Sequence, residues 1–252
     1  MLSKRLLEIA KLVDKNKVVY DIGSDHGLLP CFLVANKISQ KVYAVDNKRG
    51  PLNHAKETIE KYGLEGKVIP LLSDGLNDVK DDGQIIVIAG MGYYTVMDIF
   101  NGKDLTKYEK IIVQVNKDVD KLRQFISDNN YTIIDEVIVK EDKYYQIVVF
   151  NTNHHENYND MEIAYGPILL KKKDDILLEY LKDLKERYVF HNKNTSVDKL
   201  NKKIRELDRV IDIIVTVKWK RSEYRYLWKI LILKFLKCFQ TKKILRVLML
   251  NF

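Results

Sequence analysis

The run Val18-Val19-Tyr20-Asp21-Ile22-Gly23-Ser24-Asp25-His26-Gly27 places an apolar segment before the pattern D-x-G-x-x-x-G. Gly23 allows a tight turn and a close approach to a ligand. A helix after such a turn offers unpaired backbone N–H groups. About 20 residues further on, Asp46 closes a second apolar segment, where an acid can accept hydrogen bonds from both hydroxyls of a ribose. Asp74-Gly75 follows a third segment, at a position suited to an adenine amino group. A fourth ends in Ala89-Gly90-Met91-Gly92-Tyr93-Tyr94 and a fifth in Gln114-Val115-Asn116. These stations all fall at the C-terminal ends of expected strands, where open α/β sheets bind ligands. The first loop has one Gly before the helix and does not match the dinucleotide pattern G-x-G-x-x-G.

Such stations need a scaffold. Residues 3–13 carry Leu6, Leu7, Ile9, Ala10 and Val13 at helical spacing. Short apolar runs follow as strands: VVYDI, KVYAVDN, VIPLL, QIIVIAG and KIIVQVN. Between them CFLVANKI, PLNHAKETIEKYG, YYTVMDIF and VDKLRQFISDNNY read as helices. YTIIDEVIVKEDKYYQIVVFN reads as two long strands in a hairpin around Glu141–Lys143. Alternation of this kind implies an α/β fold with a mostly parallel sheet covered on both faces, closed by an antiparallel pair. The polar stretch 151–160 reads as a linker, and no Gly or Pro occurs after Pro167. Leu and Ile at spacings of three and four over 170–209 suggest two long helices with a break near His191–Ser196. The expected division is 1–155 and 156–252.

Charge sharpens that division. Residues 1–150 hold 21 basic and 22 acidic residues, whereas 210–252 holds 10 basic and 2 acidic, which accounts for the net charge of +8. A neutral first part with a basic end suits an enzyme domain followed by an appendage that contacts a polyanion. The competing reading is a solubilising helical tail. No run of about 18 uncharged apolar residues predicts a membrane-spanning helix. The N-terminus lacks the unbroken apolar run of a secretory signal. Cys31 and Cys238 make neither a disulfide framework nor a metal spacing. A cytoplasmic protein without a metal is expected. The adjacent His154 and His155, in a polar linker without other ligands, are expected to be solvent-exposed rather than metal-bound.

The loose first loop is similar to that of S-adenosylmethionine methyltransferases, which bind an amino-acid moiety there and no pyrophosphate. DIGSDHGLLP, GPLNHA, SDGL, IAGMG and QVN followed by LR resemble the TrmK-type bacterial tRNA adenine(22)-N1 methyltransferases. The resemblance runs from Arg5 to Pro167 and ends in E-x-x-x-G-P at Glu162–Pro167. It implies a Rossmann-like class I methyltransferase fold, S-adenosyl-L-methionine as donor, tRNA as substrate, and a coiled-coil-like helical C-terminal domain that holds the tRNA. It implies cofactor binding by Asp21, Gly23, Ser24, Asp25, His26, Asp46 with Asn47, Asp74, Gly75, Ala89 and Gly90. It also places the target base at Met91, Gly92 and Tyr93. The chain departs from the family pattern at Tyr93, where a second Gly is usual, at Val115, where Pro is usual, and at Asp46, where Glu is usual. Residues from about 210 onward do not follow the family's ending.

Adenine N1 carries an in-plane lone pair and no proton, so its methylation needs no general base. The product is cationic, and a nearby carboxylate stabilises it. Asp25 is the candidate for that carboxylate, with His26 orienting it or the cofactor; a helix cap is the competing reading for Asp25. Tyr93 or Tyr94 can stack on the base. Gln114 and Asn116 either read the base or brace its pocket. Arg5, Arg123, Lys4, Lys11 and the lysine run 171–173 are candidates for tRNA phosphates. The tail after residue 210 is compatible with helix docking or RNA contact, with a membrane-surface helix, or with an altered reading frame. Competing functions are methylation of another RNA base or a small molecule, and RNA binding on an inactive methyltransferase fold. No N-P-P-Y-type motif follows the fourth strand, which argues against exocyclic-amine methylation. A monomer is expected.

Overall fold

Strands and helices alternate through the first 130 or so residues of the chain in the computed structural model, which describes residues 2–153, 156–195, 198 and 200–216. The strands are β1 (Val19–Ile22), β2 (Val42–Asp46), β3 (Val68–Leu72), β4 (Ile85–Met91), β5 (Lys110–Val115), β6 (Thr132–Lys140) and β7 (Tyr144–Asn151). The helices of this region are α1 (Lys4–Leu12), α2 (Leu28–Ala35), α3 (Arg49–Tyr62), α4 (Tyr93–Phe100) and α5 (Val119–Asp128). One seven-stranded sheet has the order β3-β2-β1-β4-β5-β7-β6, in which β7 alone runs opposite to the other six strands. Asp21 lies opposite Ala44 on β2 and Val87 on β4, so the first binding loop leaves the centre of the sheet. Pro70 is tolerated because β3 is an edge strand.

The core has two layers, one on each face of the sheet. Ile9, Leu33, Ala55 and Ile59 from α1–α3 pack with Val19, Val42 and Val87. Val96, Phe100, Leu122 and Ile126 from α4 and α5 pack with Ile22, Ile88 and Val113. The second expected helix begins earlier than its apolar run suggests, at Leu28. Pro30 lies in its first turn, where a missing N–H leaves no bond unmade.

Two short helices, α6 (Asp160–Tyr165) and α7 (Pro167–Lys172), occupy the stretch just after the expected boundary at 155. Asn159 and Glu162 form a reciprocal capping box on α6. Behind them Arg123 and Glu136, both fully buried, pair at 2.7 Å. Arg123 also donates to Gln146 at 2.6 Å and to the Ile163 carbonyl at 3.2 Å. The other Glu136 oxygen accepts from the Ile168 amide at 2.9 Å. A Cβ on Gly166 would stand 2.6–2.8 Å from this pair, and its φ is +93°, so only glycine lets the chain pass so close. This corrects the expectation for Arg123: with its guanidinium enclosed and saturated, it holds the α5–β6–α6 junction and is not on a tRNA-facing surface.

The chain separates into two compact units, one ending at Leu177 and the other beginning at Leu178, so α6 and α7 belong with the sheet. Helix α8 spans Asp175–Thr195, and residues 200–216 are helical. Leu181, Leu207, Val210 and Ile214 are buried. The expected pair of long helices is therefore present. The histidine pair 154–155 and the tail from 217 lie outside the described residues. Among the described residues no helix is long and apolar enough to cross a membrane.

Candidate active site

At the C-terminal edge of β1, the amides of Gly23 and Ser24 both donate to the Val45 carbonyl, at 2.8 and 3.0 Å. This hooks the first loop onto the end of β2. Asp21 lies just inside, 5 % exposed. Burial pushes its carboxyl up to about 7, and the nearby Asp46 charge adds to the rise. Asp46 accepts from the Lys48 amide at 3.0 Å and from the Asp25 amide at 3.4 Å. Asn47 donates to Asp74 across the neighbouring loop at 3.4 Å.

A cavity of about 440 Å³ opens here, lined by Gly23, Asp46, Asn47, Asp74, Gly75 and Met91 from the expected set and by Ile22 beside them. Its other wall is Asn77, Thr95, Asp98, Ile99, Asn101 and Lys103, which motif reasoning did not single out. The signal for part of that wall was available: Thr95 and Asp98 are polar residues three apart on an otherwise apolar helix. Ser24, Asp25 and His26 do not line the cavity and follow Gly23 on the loop that leaves its rim. Asp25 is not a helix cap. Gly27 occupies the N-cap of α2, and the Asp25 carboxylate is exposed beside His26 Nε2 at 3.5 Å.

The turn after β4 is built on a bulge. Register with β5 shifts between Ala89 and Met91, and Gly90 takes φ +82°. Gln114 is fully buried beneath it. Its Oε1 accepts from the Gly90 amide at 3.1 Å and from the Arg5 guanidinium, while Nε2 donates to the Val115 carbonyl at 2.8 Å. Asn116 donates from its side chain to the Gly90 carbonyl at 2.6 Å and from its backbone to the Met91 carbonyl at 2.8 Å. For Gln114 the geometry realises bracing, whereas Asn116 braces the turn and remains exposed beside it. Gln114 is enclosed and cannot touch a substrate. Arg5 is drawn into the same network, with its guanidinium 5.2 Å from the Tyr145 ring centre and its backbone amide on Glu141 at 3.1 Å, so it is committed within the protein rather than to a phosphate.

Tyr93 is half-buried and packs on the α4–α5 core layer; Tyr94, at 66 % exposure, faces solvent. The two rings meet edge to face at 5.2 Å. Lys121, which sequence reasoning did not select, donates to the Tyr94 hydroxyl at 3.1 Å and stands 5.0 Å from its ring centre. An exposed aromatic face beside a cation suits a nucleobase and its phosphate.

The donor set fits a nucleoside-bearing cationic cofactor. A buried acid lies at the loop, a ribose-type carboxylate at the end of β2, an amide and a carboxylate on the next loop, and a cavity large enough for the nucleoside. Residues 2–148 match the family described as a methyltransferase domain. The tRNA (adenine(22)-N(1))-methyltransferase of Bacillus subtilis is 35 % identical over 187 residues, covering 71 % of this chain and 79 % of the relative. The structure of Streptococcus pneumoniae Sp1610 in complex with S-adenosyl-L-methionine superposes with a TM-score of 0.77 at 29 % identity, covering 84 % of this chain and all of that one. That of M. capricolum TrmK with S-adenosyl-homocysteine gives 0.75 at 29 % identity, covering 85 % and 99 %.

Proposed function

This chain belongs to the methyltransferase-domain family and, within it, to the tRNA (adenine(22)-N(1))-methyltransferases, and from that premise we propose how its residues divide the work. The chain transfers a methyl group from S-adenosyl-L-methionine to N1 of adenine 22 in bacterial tRNA. The observation that carries this reading is the convergence of Gly23, Asp46, Asp74 and Met91, from four successive strand ends, on one cavity.

Asp46 binds the ribose hydroxyls, Asn47, Asp74 and Gly75 hold the adenine end, and Asp21 with the Gly23–His26 loop receives the amino-acid end. When bound, the cofactor supplies an electrophilic methyl group on a sulfonium. The Ala89–Tyr93 turn seats the target base, which must leave its stack because N1 is a Watson–Crick atom. Asp25 stabilises the positive charge that appears on the methylated base. Asn116 and Gln114 hold the turn in position. Alignment of the reacting atoms is worth about 7–11 kcal/mol in favourable cases, so rigidity of this turn is a catalytic quantity. Tyr94 and Lys121 receive the RNA beside the base. We read the organisation as a catalytic domain followed by a helical, coiled-coil-like and basic tRNA-holding region, in a monomeric cytoplasmic enzyme that uses no metal for the transfer.

The test is incubation of the full chain with unmodified bacterial tRNA and methyl-labelled S-adenosyl-L-methionine, followed by nucleoside analysis. The expected product is 1-methyladenosine. Label in any other nucleoside contradicts the assignment.

A further inference from the structure

Beyond the cavity, Asp25, His26 and His54 stand together where the loop after β1 meets α3. One donor atom from each lies within 4.8 Å of the others. The two imidazole rings are nearly parallel, at 9° and 4.9 Å between centres. Their meeting is enforced by the fold: a Cβ on Gly27 would lie 3.1 Å from Ala55, so the start of α2 is pressed against α3 one residue from His54. Asp25 holds φ +49°, a left-handed conformation for a residue with a side chain, and its carboxylate sits 3.5 Å from His26 Nε2. All three side chains are open to solvent, so an ion has access.

We propose that Asp25, His26 and His54 form a site for a zinc-class divalent transition-metal ion, and that its occupancy inhibits methyl transfer. Two imidazoles and one carboxylate suit zinc, copper or nickel and disfavour magnesium and calcium, which take oxygen ligands. Three protein ligands leave a fourth tetrahedral position for water. Ligands about 2.1 Å from one ion stand at most about 4.2 Å apart, so the observed spacing closes with small side-chain rotations. No bond of the protein has to break beyond the weak His26–Asp25 pairing. The binding claim stands without any assigned activity. The inhibitory claim rests on the role given above to Asp25: a metal takes up the carboxylate that stabilises the new cation and adds positive charge beside a cationic reaction centre.

The test is calorimetric titration of the full chain with zinc chloride, beside His54→Gln. The other histidines and the cysteines are present in both, so a difference reports this site. One saturable site is expected, weakened about tenfold or more by His54→Gln and likewise by Asp25→Asn, read for binding alone. Matching melting curves without zinc establish that the variants fold. Zinc is expected to inhibit methyl transfer to tRNA, reversibly with EDTA, while His54→Gln keeps its zinc-free rate and escapes inhibition. Equal zinc affinity in wild type and His54→Gln overturns the site. Binding at the site without inhibition overturns the regulatory half. Absence of methyl transfer in zinc-free wild type counts against the proposed function and leaves the binding result readable.

Discussion

The side-chain amide of Asn116 donates to the Gly90 carbonyl at 2.6 Å, joining the residue after β5 to the bulge that ends β4. Asn116 also donates from its backbone to Met91, which lines the cavity. One residue thus fixes the turn proposed to seat the target base against the cavity wall. Asn116→Ala frees the turn without touching Asp46 or Asp74. Misplacement of reacting groups by about 1 Å costs on the order of 100-fold in rate. The expected outcome is a fall in kcat of about 10- to 100-fold with an unchanged Kd for S-adenosyl-L-methionine, measured by single-turnover transfer and calorimetry. Equal loss in Kd and kcat would place Asn116 in the cofactor site instead.

Asp21 gives a pH dependence with a defined sign. Its folded value, about 7, lies above its ordinary 3.8 because burial disfavours the charge. The free protein therefore gains stability from protonated Asp21 at low pH and loses that gain as pH rises from about 4 to about 7. The cofactor's ammonium favours the carboxylate, so binding below pH 7 releases a proton and affinity rises with pH up to that point. Calorimetry in buffers of different ionisation enthalpy at pH 6 measures the release. Asp21→Asn is expected to abolish both the release and this slope.

Arg123 is expected to matter for stability and not for RNA. Breaking a buried pair leaves an uncompensated charge and costs about 3–5 kcal/mol. Arg123→Ala should lower the unfolding free energy from urea titration by that amount, while the folded fraction retains its KM for tRNA. Replacing Arg123 by Met and Glu136 by Leu together should recover only part of the loss, since neither charge is then stranded but Gln146 and the Ile168 amide lose their partners.

Tyr94 and Lys121 are expected to act on RNA binding. Stacking is worth about 1–3 kcal/mol per base, so Tyr94→Ala should raise KM for tRNA about fivefold or more with little effect on cofactor Kd, and Tyr94→Phe should do so much less. Lys121→Ala should reduce the salt dependence of tRNA binding by about one unit of slope. Filter binding across a salt series reads both.

The parts of the site made by backbone turns at strand ends were legible in the sequence. Gly23, Asp46, Asp74 and Met91 announce themselves because strand alternation and turn chemistry are local, and all four line the cavity. The direction of long side chains was not legible. Arg123 has the composition of a phosphate contact, but its partners Glu136 and Gln146 lie 13 and 23 residues away on β6 and β7. Gln114 reads as a polar strand end, and the Arg5 guanidinium that it meets in its buried position lies 109 residues away in sequence. Glu162–Pro167 stood out only as a family marker. The structure supplies its physical content: Glu162 closes a capping box, Gly166 passes close to the buried ion pair, and Pro167 begins α7.

The central claim is transfer to one atom of one nucleotide. The most direct measurement compares labelled methyl transfer from S-adenosyl-L-methionine to an unmodified bacterial tRNA transcript carrying A22 and to the same transcript with A22→G. The account predicts label on the first alone, recovered as 1-methyladenosine. Equal label on both transcripts, or label on neither with cofactor binding intact, contradicts it.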